Sequence, residues 1–366
     1  MPKPVKVLEM IACLNYGGSQ AMIVNLCKAM NRNEVQCDFV VDHPEYSGME
    51  DIVRSLGSEI YVMPTFKGTN IAEVKKSWND LFEAHPEYQI LHSHSRSYAS
   101  IYLPIAKKHG LKTIIHSHNT SNGNGIAAVV KDVLKYPLRK QADYFFGCSK
   151  EAGEWLFGKK IISGDRFFVL NNAIDTDQFT FNEDIRSSYR KEFHLGNKKT
   201  FIQVGRFSPQ KNHLFTLNLF SDYLAKDDES HLFLVGNGDQ KEKIEQEIDS
   251  LGISDHVTIL EYRNDVNKLL QMADVFLMPS FYEGLSVAAV EAQASGIKCL
   301  LSENCDHNVD ITGLCSFLPL KKEEWLSKME EDVTIRPYTK PYIVKAGFDV
   351  NETAKWLQDF YVKIGE

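Results

Sequence analysis

Two glutamates eight residues apart, Glu283 and Glu291, stand in a stretch of mostly small and apolar residues. The segment from Leu285 to Ser295 predicts a helix that is apolar almost all round and therefore buried. Glu291 is the only charge of that helix and falls on an apolar face, where a carboxylate is costly unless something hydrogen-bonds it. Neutral sugar hydroxyls suit that task. A structural glutamate paired with a buried arginine, or a cap, is the alternative.

The predicted start of the same helix suits an anion. The backbone N–H groups of Gly284, Leu285 and Ser286 open the helix, and helix N-termini bind phosphate and carboxylate groups. A diphosphate is therefore the ligand we expect at these three residues.

A second candidate for anion binding is the loop at residues 205–211, which follows one predicted strand and precedes a helix. It carries Arg206 and Lys211. Arginine offers a fork of donors and lysine a point charge, which together suit an anionic leaving group. Two solvated cations on a loop are the alternative.

Two pairs of histidines end predicted strands, His92 with His94 and His116 with His118. Strand alternation places both members of each pair on one face. A zinc site built from them lacks a visible third and fourth ligand, so we expect no metal there. Satisfied structural imidazoles are the other interpretation.

Strands and helices alternate along nearly the whole chain, which is typical of parallel sheets with helices on both faces. We expect an α/β fold of two Rossmann-like, doubly wound domains facing a central cleft, at residues 1–172 and 173–340, followed by a C-terminal helix at 341–366. Ligands bind such sheets at the carboxyl ends of the strands. The predicted strands are Lys6–Ile11, Gln36–Val41, Glu59–Met63, Ile90–His92, Thr113–His116, Tyr144–Cys148, Thr200–Val204, His231–Val235, Val257–Ile259, Val275–Met278 and Lys298–Leu301.

Composition narrows the function. The 366 residues are enough for two domains, and 49 acidic against 41 basic residues give a net charge of −8. That balance argues against a nucleic-acid surface. No apolar run approaches the ~20 residues that span a bilayer, the N-terminus predicts a strand and not a signal peptide, and the scattered cysteines predict reduced thiols. We therefore expect a cytoplasmic protein, and the inner face of the membrane is the alternative location.

Several motifs, in order along the chain, resemble glycosyltransferase family 4, a retaining family of the GT-B fold, and in particular its bacterial exopolysaccharide and capsule branch. The Glu283-x7-Glu291 motif is the most specific of them. The others are Gly17-Gly18, Asn172-Ala173-Ile174-Asp175, the loop at residues 205–211, Val235-Gly236-Asn237-Gly238-Asp239 and the stretch from Ala273 to Ser280.

The resemblance implies roles at the matching positions. Arg206 and Lys211 would hold the donor diphosphate, Glu283 would touch the donor sugar hydroxyls, and Glu291 would bond the ribose. His118 matches the position that approaches the transferred sugar. Gly17 and Gly18 would let the first loop approach the phosphates closely, and Arg263 and Asn264 would lie beside the base.

The resemblance also implies the reaction. The chain would move a sugar, with retained configuration, from a nucleotide-sugar (a UDP-sugar) to a glycan or lipid-linked acceptor in cell-surface polysaccharide synthesis. A nucleotide-sugar epimerase or phosphorylase of the same fold, or a non-catalytic sugar-binding protein, are the alternatives. We expect no metal cofactor, although Asp175-Thr176-Asp177 has the D-x-D form of metal-dependent glycosyltransferases of another fold; helix capping is the interpretation that we favour.

Residues 126–140 form an amphipathic stretch with four cations. Such a stretch suits docking on anionic lipid that carries a lipid-linked acceptor. A helix with one solvated face is the more common explanation of the same pattern.

Overall fold

The computed structural model describes residues 3–15, 18–45, 48–96, 98–118, 137–261, 263–331 and 335–365. It contains two compact units. The first comprises Met1–Ala173 and Val350–Glu366, and the second Ile174–Asp349. The boundary before the C-terminal segment was expected between residues 340 and 341 but lies after Asp349. Residues 341–349 therefore belong to the second unit, and only the final helix belongs to the first.

The first unit alternates strands with helices. Its strands are β1 (Val5–Met10), β2 (Val35–Val41), β3 (Ile60–Val62), β4 (Ile90–Ser93), β5 (Lys112–Ser117), β6 (Tyr144–Gly147) and β7 (Phe167–Val169). Its helices are α1 (Gly18–Ala29), α2 (Glu50–Ser55), α3 (Ile71–Ala84), α4 (Ala99–Lys108), α5 (Leu138–Gln141), α6 (Lys150–Phe157), α7 (Lys159–Ile162) and, at the end of the chain, α16 (Val350–Gly365).

The second unit has the same alternation. Its helices are α8 (Thr176–Phe179), α9 (Glu183–Glu192), α10 (His213–Leu224), α11 (Lys241–Leu251), α12 (Val266–Met272), α13 (Val287–Ala294), α14 (Lys322–Glu330) and α15 (Lys340–Lys345). Its strands are β8 (Lys199–Val204), β9 (Ser230–Val235), β10 (Val257–Leu260), β11 (Val275–Met278), β12 (Lys298–Ser302) and β13 (Cys315–Leu318).

Both sheets are parallel and doubly wound. Their strand orders are β3-β2-β1-β4-β5-β6-β7 and β10-β9-β8-β11-β12-β13. The order reverses beside the first strand of each sheet, between β1 and β4 and between β8 and β11, and ligands bind parallel sheets at such switch points. The loops after β8 and β11 and the ends of β1 and β4 are therefore where a site is expected in each unit.

Each sheet is buried on both faces, as parallel sheets require. In the first unit one face packs against α1 and α16, and the other against α3 and α4. Helix α16 contributes Ala354, Leu357 and Tyr361 to the first of these cores, which explains why the end of the chain belongs to this unit. No helix of the described residues is long and apolar enough to cross a membrane.

The sequence predictions missed two strands, β7 and β13, each of which is one of the two edge strands of its sheet. Both are short, with partly exposed residues, so their hydrophobic pattern is weaker than that of the central strands. The eleven predicted strands are present, and no bound differs from the predicted one by more than one residue.

Candidate active site

The second unit brings two predicted site residues into direct contact. The Nζ atom of Lys211 lies 2.5 Å from Oε2 of Glu283, and both side chains are mostly buried. Lys211 ends a 3-10 turn after β8, and Glu283 follows β11. The ion pair therefore lies at the carboxyl ends of the two strands that flank the switch point.

Hydrogen bonds between the two loops hold this pair in place. The backbone N–H of Phe281 donates to the Gln210 carbonyl at 2.9 Å, and the Gln210 side chain donates to the Tyr282 carbonyl at 2.9 Å. Asn212 donates to the carbonyl of Pro279 at 3.1 Å. Because neighbours of both charged residues are tied together, the position of the ion pair is set by backbone and not by two flexible side chains.

Glycines allow a third loop to support the first. The N–H of Phe207 donates to the Asn237 carbonyl at 2.9 Å. A Cβ on Gly236 would lie 2.0 Å from the carbonyl oxygen of Gly205, and one on Gly238 would lie 2.4 Å from that of Phe207. Only glycine permits this approach, which explains the Gly-Asn-Gly sequence after β9.

Arg206 differs from Lys211 in its surroundings. Its side chain is exposed and has no ion pair with any described residue. It lies in the same loop as Lys211, so it can add a second cation to an anion bound there.

The helix after Glu283 starts later than the sequence predicted. Helix α13 begins at Val287 with Ser286 as its N-cap residue, so Gly284 and Leu285 precede the helix and do not open it. The prediction of a helix from Leu285 was wrong because its small apolar residues continue the helical pattern, whereas the chain turns there. The N–H groups without intrahelical partners are therefore those from Ser286 to Ala289, so of the three predicted residues Ser286 keeps this position.

Glu291 lies on α13, partly buried among apolar neighbours. Burial raises the pKa of its carboxyl to about 8. Its carboxylate has neither an ion pair nor a hydrogen bond with any residue that the structure describes, so the alternative of a buried arginine partner is not supported. A ligand hydroxyl remains the partner that the chemistry favours.

Arg263 and Asn264, both expected beside the nucleotide base, differ in their hydrogen bonds and their exposure. The Arg263 guanidinium donates to Asp265 at 2.7 Å from Nε, and Asp265 also accepts from Tyr189 at 2.8 Å. That pairing raises the pKa of Arg263, chiefly through the hydrogen bond. Asn264 is exposed.

The first loop is described only in part. Gly17 lies outside the described residues, whereas Gly18 is the first residue of α1 and a Cβ on it would meet nothing within 4 Å. Among the described residues no contact therefore demands glycine at this position. Residues 119–136 also lie outside the description, and with them most of the amphipathic stretch at 126–140.

In the first unit the two histidine pairs meet in one buried cluster. The ring centroids of His92 and His94 are 4.2 Å apart, and those of His116 and His118 are 4.0 Å apart. Nδ1 of His94 lies 2.8 Å from Nε2 of His118. Burial lowers the pKa of all four imidazoles, that of His94 to about 3, so the rings are neutral near pH 7.

Glu9, which the sequence analysis did not single out as a site residue, lies at the centre of this cluster. Its Oε2 atom is 2.8 Å from Nε2 of His94, and its Oε1 atom accepts from the Tyr361 hydroxyl at 2.9 Å. Burial raises its pKa to about 8, against the opposing hydrogen bonds of Tyr361 and Cys37. A charged residue inside an apolar strand was the sequence signal that could have identified Glu9. In the structure Glu9 and His92 are register partners in β1 and β4.

One nitrogen from each of His92, His94 and His116 could meet a metal ion, because the three atoms lie within 4.8 Å of one another. The fold thus brings three of the four predicted histidines together, one more than either pair supplies alone. Both nitrogens of His94, however, already face hydrogen-bond partners.

The D-x-D sequence has a structural role. The Asp175 carboxylate caps α8 by accepting from the Gln178 N–H at 3.2 Å, and Asp177 pairs with Lys340. The interpretation as a helix cap is confirmed for Asp175.

Comparison with known families agrees with the two units. Residues 16–178 match the model of Glycosyltransferase Family 4, and residues 184–312 match that of Glycosyl transferases group 1. Over the full length, the chain is similar to HepE of Anabaena, solved in complex with UDP and glucose, with a TM-score of 0.73, 13% identity and coverage of 99% of this chain and 97% of HepE. The predicted fold class, two Rossmann-like domains of the GT-B type, is confirmed.

Curated relatives extend over the same length. The chain is 27% identical to EpsF of Bacillus subtilis (strain 168) over 97% of this chain and 96% of EpsF. It is 22% identical to the capsular polysaccharide biosynthesis glycosyltransferase CapH of Staphylococcus aureus, over 98% of this chain and 99% of CapH. It is 24% identical to the UDP-Gal:alpha-D-GlcNAc-diphosphoundecaprenol alpha-1,3-galactosyltransferase of Escherichia coli, over 69% of this chain and 67% of that enzyme.

Proposed function

Because this chain belongs to the glycosyltransferases, with a family 4 domain followed by a group 1 domain, we propose that it transfers a sugar from a UDP-sugar to a glycan or lipid-linked acceptor, with retained anomeric configuration, in the synthesis of a cell-surface polysaccharide. The observation that carries this proposal is the Lys211–Glu283 pair at the switch point of the second sheet. It joins a cation for the diphosphate to a carboxylate for the sugar hydroxyls.

The donor end of the proposal follows from charge. The chain is acidic overall, so an anionic donor must be held by local cations. Lys211 and Arg206 supply two of them from one loop, and the first turn of α13 adds backbone N–H groups. Charge that develops on the departing diphosphate is stabilised by these groups as the bond to the sugar breaks.

The sugar and the nucleoside are assigned to different residues. Glu283 is proposed to accept from the sugar hydroxyls, and Glu291 to bond the ribose in the apolar surroundings of α13. His118 of the first unit is proposed to contact the transferred sugar, and Gly17 and Gly18 to lie near the phosphates. Since the proposed cations supply the charge, we propose that transfer needs no metal ion.

The acceptor class is supported by relatives. The Escherichia coli relative is named for a sugar-diphosphoundecaprenol acceptor, and CapH for capsular polysaccharide biosynthesis. The cations of residues 126–140 suit a surface that carries such an acceptor, so we propose peripheral contact with anionic lipid there. Cosedimentation with anionic and with neutral vesicles tests it, and equal binding to both would contradict it.

The function is tested by a panel of UDP-, GDP- and ADP-sugars, scored first by thermal shift and then by transfer to an undecaprenyl-diphosphate-linked sugar. We expect a UDP-sugar to stabilise the protein and its sugar to appear in the product with unchanged anomeric configuration. Consumption of the donor without an acceptor would indicate an epimerase, and dependence on inorganic phosphate a phosphorylase. Either result would contradict the proposal.

A further inference from the structure

A cavity of about 250 Å³ lies in the second unit, at the carboxyl ends of β8, β9 and β11. Its walls come from the loop after β8, the first turns of α10 and α11, and Phe281 of the loop after β11. Sites for drug-sized ligands measure ~300–1,000 Å³, so this cavity fits a single small ring. The side chains assigned to the donor in this unit, Arg206, Lys211, Glu283 and Glu291, do not line it.

One side of the cavity is apolar and reaches the surface. Pro209, Leu214, Ile244 and Phe281 form this side. The Phe281 side chain is 51% exposed, and its backbone N–H is fixed by donation to the Gln210 carbonyl at 2.9 Å. An aromatic ring that is held in place and open to solvent offers a flat apolar face to the C–H groups of a ligand.

The buried side of the cavity contains His213, the first residue of α10, which is 3% exposed. Neither ring nitrogen of His213 has a hydrogen-bond partner among the residues that the structure describes. The ring is held edge-on against Phe207, with the two centroids 4.9 Å apart. Buried polar atoms without partners are costly and uncommon, so the cavity is built to supply them with a polar ligand.

The polar groups of the cavity indicate which ligand they suit. Burial lowers the pKa of His213 to about 3, with a smaller contribution from the charge of Lys211, so the imidazole is neutral near pH 7. A neutral imidazole donates one hydrogen bond and accepts another, as does the side-chain amide of Gln240 beside it. A hydroxyl group also donates and accepts, whereas a phosphate group chiefly accepts and leaves one nitrogen of His213 without a partner.

We propose that this cavity binds one hexopyranose ring of the acceptor glycan. The apolar face of the sugar packs on Phe281, and its hydroxyl groups bond to His213 and Gln240. Lys243, an exposed residue that lines the cavity and forms no ion pair with a described residue, donates to a further hydroxyl group. The proposal rests on the proposed function for the identity of the ligand as an acceptor.

The position of the cavity favours the acceptor. Asn212 lines the cavity directly after Lys211, and its side chain donates to the carbonyl of Pro279 at 3.1 Å. Phe281 lines it two residues before Glu283. A sugar in the cavity therefore lies beside both loops that carry the ion pair of the proposed donor site.

The test is saturation-transfer difference NMR of the full chain without a donor, using methyl glucopyranoside, methyl galactopyranoside and N-acetylglucosamine as separate probes. We expect at least one of these sugars to bind, and we expect neither UDP nor inorganic phosphate to displace it. Absence of binding by all three sugars would overturn the proposal. Displacement by UDP or by inorganic phosphate would do so as well, because the site would then be part of the donor site or an anion site.

Two variants locate the bound sugar. Phe281→Ala removes the apolar face and His213→Phe removes the buried hydrogen-bonding atoms, so each should weaken binding at least about threefold. Tyr342→Ala, which removes an aromatic side chain of similar exposure (59%) on α15, is the matched control and should bind as the wild type does. His213→Phe should not lower the Tm of the free protein, since it replaces unpartnered polar atoms by apolar ones.

Sugar affinity that is unchanged in both variants would overturn the proposal. If His213→Phe does not fold, Phe281→Ala alone decides, because its half-exposed side chain is not part of the core.

Activity separates this proposal from the proposed function. In the transfer assay, Phe281→Ala should raise the KM for the acceptor at least about threefold and leave the affinity for UDP unchanged. Sugar binding in a wild type that transfers no sugar would contradict the proposed function alone. Transfer with an unchanged acceptor KM in both variants would contradict only the acceptor site.

Discussion

The ammonium group of Lys211 lies 2.5 Å from the carboxylate of Glu283, and each of these residues is assigned a different part of the donor. In the structure the two charges neutralise each other. The diphosphate of the proposed donor would bring a second anion to Lys211 and compete with Glu283 for the same cation. The carboxylate that is displaced is then available to accept from sugar hydroxyls.

This competition predicts that Glu283→Gln separates binding from transfer. The variant removes a negative charge beside the diphosphate position, so UDP should bind at least as tightly as to the wild type. Transfer should fall at least about tenfold, since a charge-assisted hydrogen bond is worth about 1.5–3 kcal/mol. Calorimetric titration and initial rates measure the two effects, and an equal loss of both would contradict the assignment of Glu283 to the sugar.

Glu291 predicts a pH dependence of stability. Its folded-state pKa of about 8 lies above that of an unfolded glutamate, so the folded protein keeps a proton that the unfolded chain releases. The free energy of unfolding therefore falls as the pH rises through this window, between about pH 5 and pH 8.

Glu291→Gln should abolish the part of this pH-dependent loss of stability that Glu291 causes. The free energy of unfolding of the variant, relative to the wild type, should increase by at least about 1 kcal/mol between about pH 5 and pH 8, because one pKa unit corresponds to about 1.4 kcal/mol. Denaturant-induced unfolding at the two pH values measures this difference. The contribution of Glu9 to the pH dependence cancels, because both proteins contain Glu9. A variant that is less stable at both pH values would show that Glu291 has a cationic partner.

The affinity of Glu291→Gln for UDP should also fall, as the proposed ribose contact requires.

The metal-free mechanism predicts that transfer survives chelation. EDTA treatment, and the Asp175→Asn, Asp177→Asn double variant, should each leave the rate of transfer within about twofold of the untreated wild type, since in the proposed mechanism two cations and a helix N-terminus act on the diphosphate. The double variant loses a cap worth about 1 kcal/mol, so it is assayed well below its Tm. Activity that EDTA removes and Mn²⁺ restores would contradict this mechanism.

The sequence was sufficient for the parts of the site that depend on local pattern. The buried strands, the Gly-rich loops and the charges of residues 205–211 and 283–291 all follow from hydrophobic runs and turn chemistry. The Lys211–Glu283 contact did not follow, because it depends on hydrogen bonds between loops that are 72 residues apart in sequence.

The histidine cluster shows the same limit more clearly. Alternation predicted that each pair shares a face, but the meeting of both pairs with Glu9 depends on the strand order, in which β4 lies between β1 and β5. Tyr361 reaches Glu9 from a helix 352 residues further along the chain. The start of α13 was misplaced for a different reason, since Leu285 and Ser286 fit the helical pattern although they precede the helix.

The central claim is that Lys211 holds the diphosphate of a nucleotide donor, and calorimetric titration of UDP, GDP and ADP into the wild type and Lys211→Ala tests it most directly. Lys345→Ala, which removes an exposed lysine at the end of α15, is the matched control. The account predicts that UDP binds the wild type and the control alike, and that Lys211→Ala, assayed well below its Tm, binds UDP at least about tenfold more weakly, given about 1.5–3 kcal/mol for a charge-assisted hydrogen bond. UDP affinity that is the same in Lys211→Ala as in the wild type would contradict it.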